Sequence, residues 1–317
     1  MRRSLVAVWV LAGATLVGDQ LPPPVWNNTP VERVPAVEHK TFPSRAASTA
    51  VGYNVLLPAD YSTSDRRYPV LYWLHGLGGN ENNRTASIGP KILAAIQGGL
   101  PPVIVIFVNG ADYTFYVDSP DRAVPAETIL ISELIPHVDA TYRTIADRRG
   151  RAIEGFSMGG FGALLQAMKH VELFGSVVAY APALLEVQKL PDGGLTLRRG
   201  GGTHAGAAPE SPALMAKNKL LFERMFGGRP EIFEKQSPST IVRQNAAAMR
   251  ARLPVRIVIG TADGLWNAAQ LFEKLMREHA YDHELDVVEG VAHDSDRLYD
   301  AVGAKGLAFH ARANGWR

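Results

Sequence analysis

The stretch at residues 151–164, Arg-Ala-Ile-Glu-Gly-Phe-Ser-Met-Gly-Gly-Phe-Gly-Ala-Leu, constrains the fold of this chain more than any other. Its first residues form a short apolar run typical of a buried strand, and the apolar residues after Ser157 recur at helical spacing. Between the two lies a Gly-x-Ser-x-Gly turn. Gly155 and Gly159 suit a sharp turn because they lack the Cβ atom that would crowd it. The stretch therefore predicts a strand, a tight turn and a helix.

Ser157 has the setting of a nucleophile. A serine hydroxyl reacts poorly at neutral pH unless it stands exposed beside a general base, and the strand–turn–helix arrangement, the nucleophile elbow of α/β-hydrolases, exposes it in this way. The start of the helix also brings the backbone N–H of Met158 close to Ser157, where it can stabilise an oxyanion. We predict that Ser157 is a nucleophile and Met158 an oxyanion donor. The alternative is a glycine-rich turn with an incidental serine.

The rest of the chain alternates apolar runs with helical segments. Helical spacing extends over residues 127–142. Strands separated by helices indicate a mainly parallel central sheet with helices on both faces. We therefore predict an α/β class protein with the α/β-hydrolase fold and no internal repeat. The predicted strands, besides the one before Ser157, cover residues 51–57, 69–74, 103–108, 176–179, 255–259 and 285–288.

Composition narrows the classes of function. Of the 317 residues, 46% are apolar and 20% charged, which allows a substantial core. The net charge of +2 does not suggest the concentrated basic face of a nucleic-acid-binding protein. The chain has no cysteine, which excludes disulfides, thiolate catalysis and cysteine metal sites.

The N-terminus has the pattern of a secretory signal peptide. Two arginines at positions 2 and 3 precede an apolar stretch over residues 5–17 that is too short for a comfortable membrane span. We expect a signal peptide at about residues 1–18, export to the periplasm or medium, and no stable membrane span. A lead-in at residues 19–44 and a hydrolase domain at residues 45–317 would follow. An N-terminal helix of the mature fold is the alternative.

An insertion interrupts the alternation at about residues 186–250. Residues 190–209 are rich in glycine and charge, which predicts a mobile surface loop. Two Ser-Pro pairs, at Ser211 and Ser237, then predict helix starts, because serine caps a helix and proline suits its first position. The insertion could form a lid or a plain surface excursion, and the sequence does not decide between them.

A serine nucleophile needs a base, and His293 is the best placed histidine. It follows the predicted strand 285–288 on a loop at the strand's carboxyl end, where open α/β sheets bind ligands. An ordinary loop histidine is the alternative. The other histidines after Ser157 lie at predicted helix ends, in the glycine-rich loop or near the end of the chain: His170, His204, His279, His283 and His310.

The orienting acid is predicted in the same way. Asp263 lies in a Gly-Thr-Ala-Asp-Gly segment just after the strand 255–259, and it falls between Ser157 and His293, the order found in α/β-hydrolases. It can orient the imidazole and stabilise its protonated form. A simple turn residue is the alternative. The rival carboxylates near His293 are Glu289, Asp294 and Asp296.

Residues 75–79, His-Gly-Leu-Gly-Gly, follow the strand 69–74 and predict the second oxyanion donor. Glycines let backbone N–H groups converge, and the N–H of Leu77 is the expected partner of Met158. A phosphate cradle is disfavoured because the run lacks both a Walker lysine and the dinucleotide spacing. His75 itself is expected to be structural.

Taken in order, these motifs resemble the family known as Putative esterase. The resemblance rests on residues 69–79, 116–120, 133–136, 142–144, 155–160, 260–263 and 290–293, and it extends over about residues 45–310. The family groups esterase D (S-formylglutathione hydrolase), feruloyl and acetyl xylan esterases, and mycobacterial mycolyltransferases. The resemblance implies the α/β-hydrolase fold and no metal or organic cofactor. It also implies a triad of Ser157, Asp263 and His293, with Leu77 and Met158 as oxyanion donors.

The chain departs from this family near the expected substrate pocket. Residues 180–184 read Tyr-Ala-Pro-Ala-Leu where relatives often have a Ser-Gly pair, and the glycine-rich stretch 190–209 is unlike compact members. Trp266 and Tyr116 are candidate substrate contacts because aromatic rings combine apolar area with a polar handle, although core packing is the alternative for both.

The expected function is that of a serine carboxylesterase acting through an acyl-enzyme. The expected substrate is a small-molecule or carbohydrate-linked ester. An acyltransferase using the same triad, or a catalytically silent binding protein with the hydrolase fold, are the alternatives. A peptidase with a propeller domain is disfavoured by the length of the chain, and the sequence does not indicate the oligomeric state.

Overall fold

The computed structural model of the chain describes residues 21–30, 34–202 and 210–317. The expected signal peptide at residues 1–18 lies outside these ranges, and so does part of the glycine-rich loop. Among the described residues, no helix combines the length and the apolar character needed to cross a membrane.

A sheet of eight strands forms the centre of the molecule, in the order β1-β2-β4-β3-β5-β6-β9-β10. β1 and β2 pair antiparallel at one edge, β2 meets β4 antiparallel, and the remaining pairs are parallel. A small antiparallel hairpin, β7–β8, stands apart. The strands are β1 (Val37–Ser44), β2 (Thr49–Leu56), β3 (Val70–Leu74), β4 (Ile104–Val108), β5 (Arg151–Phe156), β6 (Ser176–Tyr180), β7 (Leu185–Lys189), β8 (Leu195–Arg199), β9 (Val255–Gly260) and β10 (His283–Val288).

Helices pack on this sheet, as the alternating sequence pattern predicts. α4 packs on β5 and β6, α8 on β9, and α10 on β6. β3, β4 and β6 are buried along their whole length, which explains their continuous apolar sequences. The helices are α1 (Thr85–Gln97), α2 (Ala126–Thr128), α3 (Ile135–Thr141), α4 (Met158–Lys169), α5 (Pro212–Phe226), α6 (Pro230–Lys235), α7 (Pro238–Met249), α8 (Trp266–Glu278), α9 (Ser295–Val302) and α10 (Lys305–Asn314), with a π-helical turn at Ile129–Leu134 between α2 and α3.

The lead-in contains a strand that the sequence pattern does not predict. β1 pairs with β2 over its full length, from Val37 opposite Leu56 to Ser44 opposite Thr49. Most of its residues remain outside the core, and only Phe42 and Ser44 are buried. Because one edge and most side chains of β1 stay exposed, its sequence lacks the apolar alternation that identifies a half-buried strand.

The insertion between β6 and β9 consists of the β7–β8 hairpin and helices α5 to α7. Part of the stretch predicted as a surface loop forms β8, whose Leu197 is fully buried. The two predicted Ser-Pro helix starts are present. Ser211 accepts a hydrogen bond of 3.2 Å from the N–H of Leu214, and α7 begins directly after Ser237.

Candidate active site

Ser157 lies in the turn between β5 and α4, with φ 58° and ψ −115°. A positive φ is unusual for a residue with a side chain, so the surrounding backbone must hold it. The N–H of Ser157 donates to the carbonyl of Tyr180 at 2.9 Å, and the N–H of Ala183 donates to the carbonyl of Ser157 at 2.9 Å. The segment after β6 therefore fixes the serine backbone, a role that the sequence analysis did not predict.

The glycines of the turn allow an unusually close approach of backbone atoms. A Cβ atom at Gly155 would lie 2.4 Å from the carbonyl oxygen of Gly159. A Cβ atom at Gly159 would lie 2.1 Å from the carbonyl oxygen of Leu74, at the end of β3. Since real Cβ atoms do not approach oxygen so closely, only glycine fits at either position.

Three side chains that are distant in sequence form one hydrogen-bonded chain. Nε2 of His293 lies 2.9 Å from Oγ of Ser157, and its Nδ1 lies 2.7 Å from Oδ2 of Asp263. The N–H of Leu265 donates to the other carboxylate oxygen at 2.9 Å. Because the carboxylate can only accept, the proton of the neutral imidazole belongs on Nδ1, and Nε2 is left to accept the serine hydroxyl proton.

In this hydrogen-bonded series the carboxylate is buried and the imidazole is accessible. The Asp263 side chain is 1% exposed, whereas that of His293 is 39% exposed. The ring of Phe156, the residue before Ser157, lies 4.6 Å from the imidazole ring, centroid to centroid. A buried carboxylate with an accessible imidazole is the arrangement that a general base needs, since substrate and water must reach the base but not the orienting acid.

The two loops that carry Asp263 and His293 touch directly. β9 and β10 are parallel neighbours, with Gly260 opposite Val288 at their carboxyl ends. The N–H of Ala262 donates to the carbonyl of Val291 at 3.1 Å. A Cβ atom at Gly260 would lie only 2.0 Å from that same carbonyl oxygen. The adjacency of the strands thus places Asp263 and His293 side by side, as their positions after strands predict.

The rival carboxylates point elsewhere. The side chain of Asp294 caps α9 by accepting from the N–H groups of Asp296 and Arg297. Asp296 forms an ion pair of 2.6 Å with Arg84, and Glu289 is exposed. Within the described residues, no three His, Asp or Glu side chains are grouped so that they could hold a metal ion.

Residues 75–79 lie beside the serine. A Cβ atom at Gly76 would be 3.5 Å from Cβ of Ser157. Among the residues that the structure describes, the N–H groups of Leu77 and Met158 have no acceptor. Unengaged N–H donors on the two segments that meet at Ser157 can bind an oxygen that becomes negatively charged beside it.

His75 holds the shape of this loop. Its Nδ1–H donates to the carbonyl of Gly76 at 2.9 Å, and its Nε2 accepts the N–H of Gly110 at 3.1 Å. Complete burial lowers the pKa of His75 from 6.5 to about 4, because a charged imidazole loses its hydration there. The ring is neutral at neutral pH, and both of its nitrogens serve the loop.

The two aromatic residues that are candidate substrate contacts differ in burial. Tyr116, expected to contact substrate, lies fully buried, and its hydroxyl donates to the carbonyl of His75 at 3.1 Å. A fully buried side chain has no surface to offer a substrate, so Tyr116 supports the loop from inside. Trp266 begins α8, is partly buried against the core, and donates its backbone N–H to the carbonyl of Asp263 at 3.0 Å.

Comparison with known proteins identifies the family. The family described as Putative esterase matches residues 44–317. The chain belongs to this family. A similar curated protein, the esterase Rv1288 of Mycobacterium tuberculosis, is 39% identical over 159 residues, which cover 49% of this chain and 34% of the relative. The chain thus spans about a third of the length of that relative.

Solved structures show how this member of the Putative esterase family is folded. A ferulic acid esterase superimposes with a TM-score of 0.69 at 22% identity, covering 87% of this chain and 98% of that one. An S-formylglutathione hydrolase from Agrobacterium tumefaciens superimposes with a TM-score of 0.65 at 20% identity, covering 88% and 95%. These similarities confirm the predicted α/β-hydrolase fold.

Proposed function

We propose that this protein is a serine carboxylesterase in which Ser157, His293 and Asp263 form the catalytic triad. The observation that carries the proposal is the continuous hydrogen-bonded chain, 2.9 Å from serine to imidazole and 2.7 Å from imidazole to carboxylate. Membership of the Putative esterase family supports it.

The geometry suits acyl-enzyme chemistry. Oγ of Ser157 attacks the ester carbonyl while Nε2 of His293 takes its proton, and Asp263 stabilises the imidazolium that forms. The N–H groups of Leu77 and Met158 bind the oxygen as it becomes negative. The imidazolium then gives its proton to the leaving alcohol, and the acyl group remains on Ser157.

Water completes the cycle. His293 removes a proton from a water molecule, which attacks the acyl-enzyme. The imidazolium then returns that proton to Oγ of Ser157 as the carboxylic acid leaves, and the enzyme is restored. An alcohol in place of water would give acyl transfer, the alternative within this chemistry. Analysis of the products with and without an added acceptor alcohol distinguishes the two reactions.

The decisive experiment replaces the nucleophile. We expect Ser157→Ala to lower kcat for p-nitrophenyl acetate by about 10,000-fold or more, because no other group forms the acyl-enzyme. Circular dichroism should show an unchanged fold, and a fluorophosphonate probe should label the wild type but not the variant. Retention of most activity by Ser157→Ala would contradict the assignment, and an unlabelled wild type would indicate a silent binding protein.

We also propose that the protein is exported, on the strength of the basic and apolar pattern within residues 1–18. Fractionation of cells that express either the full chain or residues 19–317 tests this. Export of the full chain only is the expected result, and equal distribution of both forms would contradict it.

A further inference from the structure

The β7–β8 hairpin of the insertion begins and ends beside the backbone that holds Ser157. The N–H of Ala183 donates to the carbonyl of Ser157 at 2.9 Å. One residue further along, the carbonyl of Leu184 accepts the N–H of Gly200, the residue directly after β8, at 3.0 Å. β7 starts at the next residue, Leu185. The hairpin therefore leaves the segment that fixes the serine backbone and returns to it.

The same end of the hairpin is also bound to the start of α8. The side-chain amide of Asn267 donates to the carbonyls of Gly201 and Gly202 at 3.3 and 3.4 Å. Asn267 belongs to the first turn of α8, which begins at Trp266, three residues after Asp263. The insertion thus contacts both the segment beside the serine and the segment that follows the acid.

Arg199, the last residue of β8, places its guanidinium against Gly264. A Cβ atom at Gly264 would lie 2.2 Å from Nη1 of Arg199, and the three atoms nearest to such a Cβ all belong to this guanidinium. The φ of Gly264 lies outside the left-handed region, so the backbone conformation does not itself require glycine. Glycine at this position leaves the space that the guanidinium occupies.

Gly264 lies inside the turn that carries the orienting carboxylate. Oδ1 of Asp263 accepts the N–H of Leu265 at 2.9 Å, which closes a turn around Gly264. The other carboxylate oxygen, Oδ2, lies 2.7 Å from Nδ1 of His293. Because the carboxylate itself closes the turn, a shift of Gly264 would move this carboxylate relative to the imidazole.

The Arg199 side chain is anchored in its position. Its backbone N–H donates to Oε1 of Glu210 at 2.9 Å, and its Nε lies 3.5 Å from the same oxygen. Both side chains are largely buried, so this ion pair is only weakly screened by the solvent. A planar guanidinium that is anchored in this way presents a fixed surface to Gly264.

We propose that Arg199 is a positioning residue for the esterase reaction, in which its guanidinium holds the turn at Gly264 and keeps the Asp263 carboxylate aligned with His293. The inference rests on the proposed esterase function. In this proposal Arg199 acts through Asp263 and not on the substrate. The insertion is then a working part of the catalytic site, and neither a lid nor a plain surface excursion.

Removal of the guanidinium should impair turnover more than binding. We expect Arg199→Ala to lower kcat for p-nitrophenyl acetate by about tenfold, because a small displacement of Asp263 weakens its support of the imidazolium. KM should stay within about twofold of the wild-type value, since the substrate does not meet Arg199. An unchanged kcat, with or without a change in KM, would overturn the proposal.

Arg198→Ala is the matched control. Arg198 precedes Arg199 on β8 and pairs with Glu186 of β7 at 2.8 Å, so its loss removes an ion pair of the same kind from the same hairpin. Neighbouring residues of a strand point to opposite faces, so the two arginines lie on different sides of the hairpin. We expect kcat and KM of Arg198→Ala to stay within about twofold of the wild-type values. An equal loss of kcat in both variants would overturn the proposal.

Gly264→Ala displaces the same guanidinium from the opposite partner. The new Cβ atom has atoms of Arg199 as its three nearest neighbours, and these form the end of a flexible side chain that can move away. We expect kcat to fall by about tenfold again. The double variant Arg199→Ala/Gly264→Ala should lose no more than either single variant, because both substitutions act on one contact. Losses that multiply to about 100-fold would overturn the proposal.

An NMR signal separates this proposal from the esterase function. The Nδ1–H of His293, held by Asp263, should give a sharp downfield proton resonance in the Ser157→Ala protein. Addition of Arg199→Ala should broaden or remove this resonance, because the proton then exchanges faster with water, whereas addition of Arg198→Ala should preserve it. If the wild type hydrolyses no ester, the esterase function fails, while the resonance still decides the role of Arg199. An unchanged resonance in Ser157→Ala/Arg199→Ala overturns the positioning role alone.

Discussion

The hydroxyl of Tyr116 donates a 3.1 Å hydrogen bond to the carbonyl oxygen of His75, and so ties the core to the loop that carries Leu77. The tyrosine is itself fixed in place. Its ring fits where a Cβ atom at Gly110 would lie 2.2 Å away and one at Gly162 2.5 Å away. Its carbonyl accepts the side-chain amide of Gln166 at 2.7 Å. Tyr116 is therefore a positioning residue for the loop of residues 75–79.

Tyr116→Phe should impair turnover more than binding. The variant leaves the His75 carbonyl without its donor and loosens the loop, so we expect kcat for p-nitrophenyl acetate to fall by about tenfold with little change in KM. Stability should fall by about 1 to 3 kcal/mol because a buried acceptor loses its partner.

Tyr68→Phe is the matched control for this change. Tyr68 is equally buried, but its hydroxyl has no hydrogen-bond partner within the part of the chain that the structure describes. Its loss should leave both kcat and thermal stability close to the wild-type values. An equal loss of kcat in both variants would show that the Tyr116 hydroxyl has no special role.

Asp263→Asn should show whether the carboxylate orients the His293 imidazole or only packs beside it. The amide keeps an oxygen for the N–H of Leu265 but favours the wrong tautomer of His293, so kcat should fall by about 10,000-fold. Asp294→Asn provides the comparison, because asparagine caps a helix as well as aspartate does, and activity should stay within about twofold. Steady-state kinetics of both variants with p-nitrophenyl acetate decide the point, and a large loss in Asp294→Asn instead would reassign the acid.

Gly260→Ala should push apart the two loops that carry Asp263 and His293. The added Cβ atom would lie 2.0 Å from the carbonyl oxygen of Val291, so the backbone must shift. We expect a loss of about 3 kcal/mol in the free energy of unfolding, together with a loss of activity. Gly290→Ala, in the neighbouring loop, meets no atom within 4 Å but has φ +68°, so it should lose only about 1 kcal/mol. Urea unfolding measures the free energy of unfolding of both variants, and equal losses of this free energy would contradict the steric argument.

The buried His75 should lower the stability of the folded protein in mild acid. Its pKa is lowered from 6.5 to about 4 in the folded protein. Between these values the unfolded chain binds a proton that the folded protein does not, so stability should fall as the pH drops from 6.5 to 4. The full effect of this group is about 3 kcal/mol. NMR titration of the His75 imidazole should give a midpoint near 4, and a midpoint near 6.5 would contradict the argument.

The hydrogen-bonded arrangement of Ser157, His293 and Asp263 was predictable because each of the three residues has a local sequence signature. Ser157 is marked by its glycines, and Asp263 and His293 each follow a buried strand. The parallel sheet then brings Asp263 and His293 together, because strands β9 and β10 are neighbours and end at the same edge. Local patterns and one topological rule therefore suffice for these three positions.

Other features depend on contacts that the sequence does not display. β1 is held by pairing with β2 and buries little, so it has no apolar period. In β8, Leu197 is buried, and α5 packs on this strand. The sequence suggests that Tyr116 lines a pocket, whereas in the structure its ring is packed against Gly110 and Gly162. Each depends on residues far away in the chain.

The anchoring of the lead-in by Glu81 has a consequence for how this protein can diverge. Asn28 of this segment is bound through its backbone N–H and its side-chain amide to the buried Glu81, yet none of residues 21–30 supplies a group to the hydrogen-bonded series of Ser157, His293 and Asp263. Substitutions in this short segment can therefore change how firmly the lead-in is held while the hydrogen bonds among Ser157, His293 and Asp263 stay intact.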